Sequence, residues 1–259
     1  MSDQLSSPSS EPSTSALPLL YKALVPFSRI HHAALCFPEA VPNFSYAASA
    51  NVIPLLAQEV VHAQSAYPIL FLPSKQGIEI SLVAMTGWGD GVNRFVDESG
   101  QWRSHTYIPA WVRRYPFYTA KTAEREEPLL VIDPTTSWLN ETGGRPFFEE
   151  GVEITERLAA LLKFNEEYQV ARIHSQTLVD ALFKSGVLEL GSFRFKTGKD
   201  EDKYQEINGF MLVSEAKLQQ LDSTSIVSLF KMGALQLAYA QLSSMQNIRN
   251  LATLTPPSF

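Results

Sequence analysis

The sequence predicts an α+β protein, with an antiparallel sheet in the N-terminal half and helices plus one β-hairpin in the C-terminal half. The first observation is a series of bulky apolar runs between residues 65 and 135, separated by turn residues. The second is a change of period, because apolar residues between 152 and 250 recur at helical spacing. The third is that the helix predicted over 153–164 has no obvious packing partner except the sheet. The two halves are therefore expected to share one core.

Residues 1–17 differ from the rest of the chain in composition. They are dominated by Ser, Pro, Thr and Glu, which bury too little apolar surface to offset the entropy cost of ordering. This segment is predicted to be a disordered tail. Residues 18–255 are predicted to form a single domain, since a 259-residue chain with 45% hydrophobic residues can build a core without disulfides or metals.

Five strands are predicted in the β-rich part, 65–135, joined as a meander. Gly77 favours a turn after the first strand, and Pro134 ends the last one. A short helix is expected from Pro54 to His62, with proline in its first turn. The predicted strands span residues 67–72, 78–85, 93–96, 102–108 and 129–133, with a hairpin-like loop at 97–100.

The helical part, 152–250, begins with the helix over 153–164 and a second helical stretch behind it. Gly186 is expected to end that stretch, with Leu188 packing back on its last turn. A hairpin follows, with strands at 187–196 and 204–213 around a polar turn.

Three more helices are expected after the hairpin. Ser214 and Asp222 are each placed to cap the start of a helix. The last helix is predicted over 234–250, with one face formed by Leu235, Tyr239, Leu242 and Met245. The segment 182–190, LFKSGVLEL, also resembles LFKMGALQL at 229–237. Two unrelated helices that each end at a glycine explain this similarity better than a duplication does.

Charge and cysteine content exclude several classes of protein. The net charge is -6 and neither half has a basic excess, which argues against a nucleic-acid or anionic-membrane binder. Cys36 is the one cysteine, so no intrachain disulfide can form. No window reaches the about 20 apolar residues of a membrane span, and the N-terminus lacks a cationic signal region. A cytoplasmic location is therefore expected.

Motifs for catalysis and cofactor binding are also missing. The five histidines have no metal-ligand spacing, and there is no P-loop, no Rossmann glycine run and no nucleophile elbow. Neither a metal nor a cofactor is expected. The sequence therefore favours a non-catalytic protein, although an enzyme site assembled from distant residues would leave no such motif.

The segment from Tyr107 to Phe117, YIPAWVRRYPF, is the best candidate for a binding site. Its arginine pair, Arg113 and Arg114, can clamp a carboxylate or phosphate, or stack on a partner. The alternative is that one of the two pairs with an acidic residue of the same chain, namely Asp97, Glu98 or Asp133. Because two prolines favour extended geometry, Trp111, Arg113 and Tyr115 are expected on one side, and Val112 and Arg114 on the other.

Seven stretches of the chain together resemble the SapC-like family, over about residues 20–251. They are LVPFSRIHH (24–32), YPILFLP (67–73), NRFVDESGQWRSHTYIPAWVRRYPF (93–117), VIDPTTSWL (131–139), PFFEEGVEIT (146–155), INGFMLVSEAKLQQL (207–221) and LFKMGALQLAYAQLSSMQNIRNL (229–251). The resemblance implies an association with bacterial surface-layer systems, and with neighbouring genes for tryptophan-halogenase-like proteins and TonB-dependent receptors. It carries over no catalytic residue. Residues that match the family pattern are His32, Trp102, Pro109, Arg113, Arg114, Tyr115, Pro116 and Phe117.

Three functions follow from these patterns. The leading one is a non-catalytic cytoplasmic accessory or binding protein of a surface-layer, uptake or modification system, with a protein partner. The second is an enzyme acting beside a tryptophan-halogenase-like partner, and the third is a surface-layer component. The residues expected to bind the partner or ligand are Arg113, Arg114, Trp111, Tyr115, His32 and Trp102.

Overall fold

Ten strands and eight helices are present in the part of the chain that the computed structural model describes. That part comprises residues 17–39, 43–74, 79–89, 91–120, 129–136, 139, 143–149, 154–196 and 204–254. The strands are β1 Val25–Pro26, β2 Cys36–Phe37, β3 Val52–Pro54, β4 Ile69–Pro73, β5 Ile80–Met85, β6 Phe117–Ala120, β7 Leu129–Ile132, β8 Arg145–Pro146, β9 Leu188–Lys196 and β10 Tyr204–Val213. The helices are α1 Arg29–His32, α2 Val60–Ala63, α3 Ala110–Arg113, α4 Glu156–Lys184, α5 Glu215–Gln219, α6 Ser223–Met232, α7 Ala234–Ser244 and α8 Asn247–Thr253.

The strands form antiparallel sheets, as predicted, but the predicted meander is wrong in its topology. The larger sheet has the order β3–β5–β4–β10–β9, the smaller one β1–β7–β6, and β2 pairs with β8. The C-terminal hairpin thus joins the main sheet, with Met211 opposite Phe71. In place of the predicted strands 93–96 and 102–108, the structure has one isolated β-bridge between Val96 and Trp102. The backbone N–H of Asn93 donates to Ala48 O instead of to the second predicted strand.

The two helical stretches predicted after residue 152 form one helix, α4, of 29 residues. Thr155 caps its start by accepting a hydrogen bond from Leu158 N, and its end lies at Gly186, which has a positive φ of 76°. Gly233 ends α6 in the same left-handed conformation. A strand follows Gly186 and a helix follows Gly233, which supports the interpretation of the sequence similarity as two similar helix ends.

Two local predictions need correction. Pro54 lies in β3 opposite Val83, so helical structure begins only with the 3-10 turn Ala57–Glu59. Asp222 caps α6 as expected, whereas the Ser214 side chain makes no cap hydrogen bond. The turns around Gly77 and between β9 and β10 lie outside the described residues.

The last predicted helix is divided into α7 and α8, and a different face of α7 is buried. Tyr239 is 53% exposed, while Leu237, Gln241 and Ser244 are buried. Gln241 accepts a hydrogen bond from Val213 N at 3.0 Å and donates one to Ile69 O at 3.2 Å. Since these backbone groups belong to β10 and β4, the polar face of α7 replaces ladder bonds where the two strands separate. Apolar spacing alone therefore indicated the side on which Leu235 and Leu242 pack against the core, but not the more deeply buried polar side.

The sheet and the helices share one large core, as the sequence predicts. Ile53 and Phe71 of the sheet lie in the same cluster as Leu178 of α4 and Leu237 of α7. A smaller cluster lies beside it around the smaller sheet and the start of α4, formed by Phe37, Phe117, Ile132, Phe147 and Leu158. The α+β class with antiparallel sheets, helices and a C-terminal hairpin is confirmed.

Candidate functional site

The candidate segment is helical at its centre, so the prediction of extended geometry is wrong. Pro109 precedes the single turn of α3, and the backbone N–H of Ala110 donates to Glu59 Oε1 at 2.6 Å. Because successive residues of a helix point about 100° apart, Arg113 and Arg114 leave the backbone in different directions. Arg113 is exposed and Arg114 is buried.

Glu59 connects α3 to the turn that precedes α2. The side chain is only 3% exposed. Its Oε1 also accepts from the Tyr107 hydroxyl at 2.8 Å, and its Oε2 accepts from Leu56 N at 2.8 Å. Burial raises the pKa of Glu59, and these three hydrogen bonds oppose that effect. The carboxyl therefore satisfies two buried backbone donors at once.

Arg113 is tied down on the surface by neutral partners. Its Nε donates to Ile108 O at 3.0 Å and its Nη2 donates to Tyr107 Oη at 2.9 Å. Tyr107 in turn donates to Glu59, and burial together with that carboxyl raises the pKa of Tyr107 to about 12. The guanidinium carbon also lies 5.1 Å from the centre of the Phe164 ring. One edge of Arg113 is thus fixed beside an apolar ring.

Arg114 has an exposure of 0% and lies in an aromatic cage. Its guanidinium carbon is 4.3 Å from the Tyr168 ring centre, 4.7 Å from that of Tyr118 and 5.6 Å from that of Trp111. Its Nε donates to Asn165 Oδ1 at 3.1 Å. Within the described ranges, both Nη atoms lack a hydrogen-bond partner. A buried positive charge with so few partners is costly for the folded state.

The sequence also left open that one of the two arginines pairs with an acidic residue of the same chain. Neither arginine makes an ion pair with Asp97, Glu98 or Asp133 in the described part of the chain. Asp97 accepts from Ser99 N and Gln101 N of its own turn, and hydrogen bonds within that turn lower its pKa.

The Arg114 cage forms one end of a cavity of about 560 Å³, which we call the aromatic cavity. It lies between α4, the β3–β5 edge of the main sheet and β6. Its caged end is formed by Trp111, Tyr118 and Tyr168, its apolar walls include Leu55 and Leu82, and Arg172 and Glu79 also line it.

On the other side of α3, a shallow depression of about 310 Å³ is lined by Phe37, Arg113, Arg157, Ala160, Leu161 and Phe164. We call it the arginine groove. The guanidinium carbon of Arg157 lies 4.5 Å from the Phe37 ring centre. Burial lowers the pKa of Arg157, and the like charge of Arg145 lowers it further. Three arginine charges therefore meet at this surface, on a chain whose net charge is negative.

A smaller cavity of about 300 Å³ adjoins the groove, since Arg113 and Phe164 line both. Glu59, Tyr107 and Tyr168 also line this space. Tyr168 lines the aromatic cavity as well, so its ring separates the two spaces.

The remaining candidate residues from the sequence are buried at different places. Trp102 Nε1 donates to Tyr67 Oη at 3.1 Å, and Tyr67 donates to the Tyr107 carbonyl, which connects Trp102 to the site. Tyr115 stacks on Tyr46 with ring centres 4.1 Å apart. His32 stacks on Phe27, and its Nδ1 lies 2.9 Å from Ser28 O. The structure therefore brings Arg114 and Trp111 together, places Arg113 at the arginine groove instead, and leaves His32 on Phe27 beside the smaller cluster.

Several residues of the site were not predicted from the sequence. Glu59, Tyr118, Arg157 and Tyr168 come from three separate segments, the last two from α4, and no motif connects them. Asn165 was missed for a different reason, because a polar residue at a buried helix position shows only as a break in apolar spacing. That break is the one signal that could have indicated it.

Searches for metal and membrane features give negative findings for the described residues. No group of three or more His, Cys, Asp or Glu could hold a metal ion there. Among the helices described above, none has the length and apolar character needed to cross a membrane.

Comparison with known proteins gives one match. No curated protein and no solved structure matches the chain. The SapC family model matches residues 28–251, which is most of the 259-residue sequence and includes the whole of α3, the cage of Arg114 and the arginine groove. The chain therefore belongs to the SapC family.

Proposed function

We propose that this SapC protein is a non-catalytic accessory protein that binds an acidic segment of a protein partner in the arginine groove. It would serve a bacterial surface-layer, uptake or modification system from the cytoplasm. The observation that carries the proposal is the exposed pair Arg113 and Arg157, each held over an aromatic ring beside an apolar floor.

Charge complementarity supports an acidic occupant. Within the described residues, Arg113, Arg145 and Arg157 form no ion pair. Arg113 reaches the Glu59 carboxyl only through Tyr107 Oη. A guanidinium stacked on a ring keeps its N–H edge available for a carboxylate. The partner is therefore expected to present Asp or Glu at this surface.

The floor of the groove supports a protein segment as the occupant. Leu161 and Phe164 are half-buried, so a partner side chain can cover them, while the buried Phe37 supports Arg157 from below. Arginine next to aromatic residues is the composition that dominates binding energy in protein interfaces. Nucleic acid is a poor fit, because a chain of net charge -6 gains little from phosphate neutralisation.

The test is a titration of the full chain against the purified products of the neighbouring genes. Arg113→Glu and Arg157→Glu should each weaken binding by about tenfold to a hundredfold, since each replaces attraction with repulsion at a desolvated contact. Arg249→Glu is the matched control, because it makes the same charge change on an exposed residue of α8. The melting temperature of each variant shows whether it is folded.

The proposal fails if the two groove variants bind as the wild-type protein does, or if none of the neighbouring gene products binds. An effect of equal size from Arg249→Glu would mean that binding depends on net charge and not on the groove. Fractionation tests the cytoplasmic location: finding the untagged protein in the surface layer would support the surface-layer component instead.

A second candidate function is an enzyme, and one observation favours it. Glu59 is a buried carboxyl with a raised pKa that lines a cavity, which is typical of general acids and bases. Its two carboxyl oxygens are, however, occupied by backbone and tyrosine donors. Stoichiometric iron or zinc in protein purified without a histidine tag would favour the enzyme.

A further inference from the structure

The aromatic cavity lies beside the buried positive charge of Arg114, which has no part in partner binding at the arginine groove. Arg114 places a permanent positive charge directly behind the rings of Tyr118 and Tyr168, and both rings line the cavity. Its two Nη atoms have no hydrogen-bond partner within the described residues. A buried guanidinium without a counter-charge is a strong local attraction for an anion.

Two hydroxyl groups lie at the same end of the cavity. Among the described residues, neither the Tyr118 nor the Tyr168 hydroxyl makes a hydrogen bond. Tyr168 is 3% exposed and lines the cavity. The charged side chains nearest in effect to the Tyr168 hydroxyl are Arg114, then the Glu59 carboxyl and Arg172. The caged end thus offers two hydrogen-bond donors backed by one positive charge.

We propose that the aromatic cavity binds a small organic carboxylate with an apolar, ring-containing body. The carboxylate accepts hydrogen bonds from the tyrosine hydroxyls near Arg114, and the body lies against Trp111 and the leucine walls. The cavity volume of about 560 Å³ is that of a small-molecule site.

The single buried charge selects a monoanion. A carboxylate is balanced by Arg114, whereas a dianionic phosphate would bring a second negative charge into a desolvated end where the described residues supply no second buried cation. Arg172 is exposed and its Nε donates to Gln169 Oε1 at 3.3 Å, so it adds little to that balance.

The test compares three probes of similar shape by calorimetric titration of the full chain. They are 2-naphthylacetate, its neutral amide 2-naphthylacetamide, and 2-naphthyl phosphate. The wild-type protein should bind the carboxylate at least about tenfold more tightly than the amide, the size of effect expected for one partly desolvated charge interaction. Arg114→Met should abolish that preference without abolishing amide binding. Arg113→Met, on the opposite side of α3, should keep it.

If Arg114→Met does not fold, a second variant tests the same preference for the carboxylate. Tyr118→Phe with Tyr168→Phe keeps both rings and removes both hydroxyls, and it should reduce the preference for the carboxylate by several-fold. The proposal is overturned if no probe binds at millimolar concentration, if the amide binds as tightly as the carboxylate, or if the double phenylalanine variant keeps the full preference. Tighter binding of the phosphate would overturn the assignment of a carboxylate.

Discussion

Replacing Glu59 with alanine should lower the free energy of unfolding by about 3 kcal/mol, because buried donors lose their acceptor. Ala110 N and Leu56 N belong to buried residues, and each donates to this carboxyl. The α3 turn would lose the contact that caps it and holds Arg113 and Arg114 in place. Urea denaturation of the wild-type and variant proteins measures the difference.

Glu166→Ala is the control for that experiment. Glu166 lies exposed on α4 and should change the free energy of unfolding by less than about 0.5 kcal/mol. A loss below about 1 kcal/mol for Glu59→Ala would contradict the structural role of Glu59, because one unsatisfied buried donor alone is expected to exceed it.

The raised pKa of Glu59 gives the same site a pH dependence. Because burial raises the pKa of Glu59 above its ordinary value of 4.5, the folded state holds the proton more tightly than the unfolded state does. The stability that this provides is full below pH 4.5 and is lost as the pH rises through the folded-state pKa. The stability of the wild-type protein relative to Glu59→Gln should therefore decrease over that range. An increase would mean that the three hydrogen-bond donors outweigh burial.

Replacing Arg114 and Asn165 together should raise stability, although both residues are buried in the core. Arg114→Met with Asn165→Leu removes a buried charge and its one hydrogen-bond acceptor, and leaves apolar side chains of similar length and branching in the aromatic cage. Exchanges of buried polar pairs for apolar ones stabilise proteins by about 1–4 kcal/mol. Methionine also packs well against aromatic rings. Chemical denaturation of the double variant measures the gain.

The single variants separate the contributions to that result. Arg114→Met alone leaves Asn165 Oδ1 without its donor, so it should be less stable than the double variant by about 1–3 kcal/mol. If the double variant is instead less stable than the wild-type protein, the contacts of the guanidinium with Tyr168 and Tyr118 outweigh the cost of burying the charge. A gain in stability that is accompanied by loss of carboxylate preference would indicate that Arg114 is kept for binding.

The sequence by itself determined the α+β class, the cap of α6 at Asp222, the end of α4 at Gly186 and the ends of the C-terminal hairpin. These features depend on local physical chemistry: apolar periodicity, turn residues, and side chains that bond to nearby backbone. The sequence also indicated the segment around Arg113 and Arg114, because an arginine pair among aromatic rings is unusual in a loop.

Only the tertiary structure decided which partners these residues meet. The C-terminal hairpin pairs with β4, and the buried face of α7 is chosen by Gln241 and Ser244, which bond to backbone groups that no local pattern reveals. In the same way, Glu59, 51 residues away, accepts a hydrogen bond from the first N–H of α3, the turn that directs Arg113 outwards and Arg114 inwards. The two arginines are thus separated between the groove and the cavity by a turn that a distant contact holds, and long-range contacts of this kind leave no spacing in the sequence.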